Sequence, residues 1–147
     1  MTAIRKLQRS MFIAMAAAAA LGAPVVAQAG VGQITRADLA GPWVATLVGF
    51  TGCGQHAMHV AINMNNAGAG TATITNHGQC GNSVQTGQSF NIISLNTNGT
   101  GTAGLSCGAG CGWTLRFQVS PDRSIMNLVD VEPINPGNFL AGVAVHY

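Results

Sequence analysis

Charge is what this sequence has least of, with six basic and four acidic side chains among 147 residues. Three of the basic ones, Arg5, Lys6 and Arg9, sit together at the start. The remainder keeps Arg36, Arg116 and Arg123 against Asp38, Asp122, Asp130 and Glu132, a net charge of −1. No basic stripe remains to neutralise phosphates, which excludes nucleic acid as the expected partner. The acids are scattered, so no carboxylate pair is set up for acid–base work. A Gly-x-Ser-x-Gly elbow is missing too, and the glycine-rich run 99–104 lacks the lysine and following helix of a phosphate loop. These absences argue against an enzyme and call for no cofactor.

Long apolar runs are also missing. Residues 11–21 are apolar and alanine-rich, follow the basic start, and lead to Ala27-Gln28-Ala29. That is the pattern of a secretory signal with a small-x-small cleavage site, too short and wrongly flanked for a membrane span. The competing reading is a retained amphipathic or membrane helix. Cleavage after Ala29 assigns 1–29 to a signal peptide and 30–147 to a single secreted or periplasmic domain with no membrane span. A domain of that length buries one modest core.

Helical periodicity is absent from the rest of the chain, as are long repeats, linkers and charged tails. One capping-box arrangement, Thr35-Arg36-Ala37-Asp38, predicts a single helical turn ending at Gly41. Eight strand candidates follow, at 43–50, 56–64, 70–77, 89–96, 100–106, 112–119, 124–131 and 138–146. Trp113, Leu115, Phe117 and Val119 alternate with Thr114, Arg116 and Gln118, and Phe139, Ala141, Val143 and Val145 repeat the pattern. Their close spacing marks an all-β sandwich or barrel.

The connections alternate in character. Asn65-Asn66-Ala67-Gly68-Ala69, Thr97-Asn98-Gly99 and Ser120-Pro121-Asp122-Arg123 are plain tight turns. Asn98-Gly99-Thr100 also fits a glycosylation sequon, but a hairpin turn explains it more simply. The other four connections, expected at 51–55, 78–88, 107–111 and 132–137, hold all four cysteines: Cys53, Cys80, Cys107 and Cys111. In an eight-stranded antiparallel up-and-down barrel, alternate connections share one end, so every cysteine falls on one rim. A β-sandwich is the alternative.

Asp38-Leu39-Ala40-Gly41-Pro42-Trp43 places a Gly-x-Trp at the start of the first strand, just after a helical turn. This resembles the opening of lipocalins and the wider calycin superfamily of small secreted barrels. The resemblance implies a closed barrel whose open mouth is formed by the four decorated connections, with Trp43 plugging the closed end. Asp122 matches the aspartate that lipocalins tend to carry in the turn after strand six. The family's basic residue near the last strand has no counterpart, since that strand offers only His146.

Gly52-Cys53-Gly54-Gln55-His56-Ala57-Met58-His59 has the residue types of a metal or redox centre. Strand alternation dissolves it, because His56 shares a face with Met58, Val60, Ile62 and Met64 while His59 faces the other way. A softer site built from His56, His77 and Met58 would suit copper, but the histidines are more simply polar residues near strand ends. No metal is therefore assigned. Cys107 and Cys111 lack the Cys-x-x-Cys spacing and helix of a redox pair. An exported, even-numbered set favours two disulfides, Cys53–Cys80 and Cys107–Cys111. The pairing of Cys53 and Cys80 each to the 107–111 loop stays open.

The expected function is a non-catalytic binding protein, taking a small apolar or amphipathic ligand at the braced mouth through Phe50, His56, His77 and Trp113. The alternative is a protein-interaction module at the rim loops, such as a protease inhibitor or an envelope or extracellular structural component.

Overall fold

Alternation along the strands gives the sheet a continuous apolar face, and such a sheet is stable only when that face is covered. Here the sheet covers itself. The computed structural model describes residues 32–131 and 138–147. The segment 1–29, expected as a signal peptide, and the connection expected at 132–137 lie outside the described residues. A 3₁₀ turn at Ala37–Leu39 precedes β1 (Gly41–Thr51), β2 (Gly54–Met64), β3 (Ala69–Gly78) and β4 (Gly81–Leu95). Then come β5 (Thr100–Ser106), β6 (Gly112–Val119), β7 (Ile125–Asp130) and β8 (Phe139–His146). Each strand pairs antiparallel with the next, and β8 returns to β1 from Phe50↔Phe139 to Trp43↔His146. The protein is a closed up-and-down barrel, not a sandwich. No helix among the described residues is long and apolar enough to cross a membrane.

The interior is filled by the inward rows. Trp43, Leu47, Met58, Val60, Ile74, Phe90, Leu105, Leu115, Met126 and Leu140 are all fully buried. Burying side chains of this kind stabilises by about 1.5–3 kcal/mol each before chain entropy is charged against it. Closure brings β1 and β8 so near that two inward positions exclude a side chain. A Cβ on Gly49 would run into the Phe139 carbonyl, and one on Gly142 into the Thr46 carbonyl.

One predicted boundary is wrong. Residues 78–88 were expected as a loop, but β4 starts at Gly81 and pairs with β3 from Gly78↔Gly81 onward. The segment Asn82-Ser83-Val84-Gln85-Thr86 has no apolar alternation because it is a hairpin arm with both faces near solvent. Its other edge is open, since β4 meets β5 only from Phe90↔Leu105. Register shifts at Ala72/Ile74 and at Ile92/Ser94 bend β4 between these two regimes.

The closed end is built around Trp43, which is wholly buried. Its Nε1 donates to the Leu39 carbonyl of the 3₁₀ turn at 2.9 Å. The His146 ring stacks on it at 4.7 Å with planes 5° apart. The N-terminal segment is pinned by Ile34 N–H to Thr97 O at 3.0 Å and by an Arg123–Asp38 ion pair at 3.5 Å. The predicted turn forms, with the Asp38 carboxylate accepting from the Thr35 N–H and hydroxyl.

The β6–β7 hairpin carries Pro121 in a β-turn closed by Arg123 N–H to Ser120 O, with Arg123 at φ 62°. Asp122 accepts from the Ser120 hydroxyl and from the Ser124 hydroxyl and N–H, which lowers its pKa to about 2. A carboxyl depressed in the folded state stabilises above its unfolded value, near 3.8, and loses that contribution as pH falls through about 2. Asp122→Asn is therefore expected to lower the melting temperature at neutral pH. Thermal scans of both proteins should show the difference shrinking between pH 4 and 2; a pH-independent difference would assign the effect to something other than the carboxylate.

Candidate functional site

The turns divide between the two ends as the alternation predicts. The β2–β3, β4–β5 and β6–β7 turns stand at the closed end with the N-terminal turn. The β1–β2, β3–β4 and β5–β6 turns at the open end hold the cysteines. Cys53 in the first of these bonds to Cys80 in the second, Cα atoms 5.5 Å apart, and Cys107 bonds to Cys111 within the third. No cysteine is free.

Between these two braces lies a cavity of about 590 Å³. It opens where the β3–β4 arm parts from β5, so one wall is Ser83 and Gln85 and the opposite wall is the Cys107–Cys111 loop with Trp113. Both disulfides, His56, Asn76, Asn82 and Asn138 complete much of the lining. The volume is within the range that takes a small ligand. Its floor is the packed core, since Met58, Ile74 and Leu105 below it are buried. The site is therefore a rim pocket and does not reach through the barrel.

A polar chain crosses the pocket. His56 Nε2 lies 3.1 Å from Asn76 Oδ1, and Asn76 Nδ2 donates to Ser83 Oγ at 3.2 Å. Asn76 is buried, and the register pairs place all three residues on adjacent strands, Met58↔Asn76 and Asn76↔Ser83. His56 Nδ1 is buried without a partner. A bare acceptor there costs less than a bare N–H, so the proton sits on Nε2 and donates to Asn76. The Ser83 hydroxyl then keeps its own proton for something outside the protein. The order Ser–Asn–His puts a carboxamide between hydroxyl and imidazole. That order does not activate a nucleophile, which requires the imidazole to touch the hydroxyl directly.

The four predicted ligand residues separate into two pairs. His56 and Trp113 face inward and line the pocket. Phe50 and His77 do not reach the mouth. Phe50 shares the outward parity of Thr46 and Val48, and is 53% exposed. His77 pairs with Ala57 and is likewise outward and exposed. Phe50 and His77 instead border a shallow groove on the outer wall with Val48, Gln55 and Ala57. Parity counted from Trp43 and from Ile74 gives this placement, whereas nearness to the rim alone does not. The same count from Ile74 would have found Asn76, which was not anticipated. Ser83 and Gln85 lay in the segment misread as loop.

His56 and His59 stand on opposite faces, with Met58 buried between them and His59 exposed. Among the described residues, no three His, Cys, Asp or Glu side chains converge on one point. No family model, curated protein or solved structure matches this chain.

The two braces differ in the loop they close, with sequence separations of 27 and 4. Loop-closure entropy predicts that Cys53→Ala/Cys80→Ala costs about 3–4 kcal/mol and Cys107→Ala/Cys111→Ala about 2 kcal/mol. Urea denaturation of the two double variants measures both, and equal losses would contradict the ordering.

Proposed function

We propose that this is an exported, non-catalytic binding protein that takes a small amphipathic ligand in the rim pocket. The observation that carries the reading is the pocket itself. It is a concave site between two disulfides, lined by an inward Trp113 and by the His56–Asn76–Ser83 chain. Rigid walls and a few placed polar groups are what a ligand site needs. Two disulfides and the basic, apolar start support export to an oxidising compartment. The calycin-like reading belongs with this proposal. It is supported by Trp43 under the N-terminal turn and by His146, which packs on Trp43 from the last strand.

A second reading, the protein-interaction module, is favoured by the outer wall. Val48 and Phe50 on β1, Phe139, Val143 and Val145 on β8, and Ile125 on β7 are all exposed and adjacent through Phe50↔Phe139 and Ile125↔Val145. Neither β1 nor β8 carries a charge. Such a face suits a second copy of this chain better than a charged partner.

Two experiments separate the readings. Native mass spectrometry of protein purified from its own source should reveal a bound molecule of defined small mass, lost in Trp113→Ala; an empty pocket with a stoichiometric protein partner would overturn the first reading. Light scattering across a concentration series tests the second. A dimer abolished by Val143→Lys supports it, and a monomer at every concentration removes it.

A further inference from the structure

The pocket's polar groups define a ligand class, and this inference rests on the binding reading above. None of the described residues lining the pocket carries a fixed charge. The described cations are also remote from this end. Arg36 donates to Ile93 O and Arg123 pairs with Asp38, both at the closed end, while Arg116 is exposed on the outer face of β6. The one described acid toward the open end, Asp130, is buried on the inner face of β7 and does not line the pocket. An anionic ligand would thus leave water without a counter-charge among the described lining residues. Removing an ion from water without compensation is costly.

The uncharged groups are plentiful and of both kinds. Ser83 has a hydroxyl proton unused by the Asn76 contact, and the Trp113 indole N–H and the Asn82 carboxamide make no hydrogen bond within the described residues. The ring of Trp113 adds a flat apolar surface, half-buried against Leu105. Donors and acceptors together, beside an aromatic plane, match groups that both donate and accept while presenting C–H faces. Hydroxyls on a carbon ring or short chain do this; carboxylates only accept and ammonium groups only donate. The packed floor restricts depth, so the polar head must be held at the rim and any apolar tail must be short.

We propose that the rim pocket binds neutral, hydroxyl-rich amphiphiles of the glycoside type and discriminates against both acids and amines. The Ser83 hydroxyl donates to a ligand oxygen, Asn82 takes a second hydroxyl, and Trp113 lies against the ring.

The test uses three probes with one tail: octyl glucoside, octanoate and octylammonium, each below its micelle concentration. Tryptophan emission reports binding, because Trp113 is at the pocket and Trp43 is buried at the other end. Octyl glucoside should give a saturable change, with octanoate and octylammonium at least about ten-fold weaker. Ser83→Ala should weaken the glucoside about three- to ten-fold, as expected for one hydrogen bond. Ser83→Lys, at an exposed position, should turn the order toward octanoate.

If octanoate or octylammonium binds the wild-type protein as tightly as the glucoside, the neutral class is wrong while the pocket reading survives. If none of the three produces a saturable change in Trp113 emission, the pocket reading falls, and this inference with it.

Discussion

Barrel closure along the β1–β8 seam is the constraint on which the rest depends. Eight register pairs from Trp43↔His146 to Phe50↔Phe139 join the two ends of the sheet. Without that seam, two long uncharged edges would remain, and such edges recruit other chains. The seam also converts one apolar sheet face into an enclosed core. Between Asp38 and Arg116 the chain has no Lys, Arg, Asp or Glu, and the backbone ladders and inward rows carry the organisation that charges supply elsewhere. Gly49 and Gly142 are the local requirement for this closure, because neither strand could approach the other with a side chain there.

The same seam fixes the difference between the two ends. Trp43 lies at one end of the β1–β8 ladder, held by Leu39 O and by the His146 ring. The plug therefore forms where the first and last strands meet. The opposite end has no comparable plug among the described residues. It is braced covalently at its turns, and it opens where β4 loses contact with β5. In the proposed reading, recognition falls to the braced end and the aromatic plug to the other, as expected when loops on a rigid scaffold carry recognition.

Most of the fold was legible because alternation is strict wherever one face is buried. Leu115, Phe117 and Val119 point inward as their spacing requires, and so do Met58, Val60, Ile62 and Met64. On β8 the expected face is reversed: the row Phe139, Ala141, Val143 and Val145 points outward, and Leu140 and Ala144 fill the interior. The favoured cysteine pairing is the one that forms, Cys53–Cys80 between neighbouring turns and Cys107–Cys111 within one, which settles the alternative the sequence left open. The site was legible only in part. Gly81 to Gln88 carries no periodic signal, since a strand with both faces wet has no pattern to read. Ser83 and Gln85 were hidden for that reason. Phe50 and His77 were misplaced for a different one. Aromatic and imidazole side chains near a rim suggest a mouth, but face is set by parity, and a one-residue step moves a side chain through the wall.

The pocket side formed by β2, β3 and β4 has two unequal parts, in a way that bears on the proposed binding. His56 and Asn76 stand on β2 and β3, each paired on both sides, and the Cys53–Cys80 bond ties the turns that bound those strands. That wall is set before a ligand arrives, which limits the ordering cost of binding. Ser83 and Gln85 stand on an arm paired on one side only and mostly exposed, the profile of low local stability. The hydrogen bond from Asn76 to Ser83 is the link between them. A ligand that accepts the Ser83 proton strengthens the same chain, because a hydroxyl that donates becomes a better acceptor for Asn76. In the proposed reading, ligand binding and the Asn76–Ser83 link are therefore coupled through one side-chain oxygen, and the doubly paired strands decide which ligand geometry makes that coupling favourable.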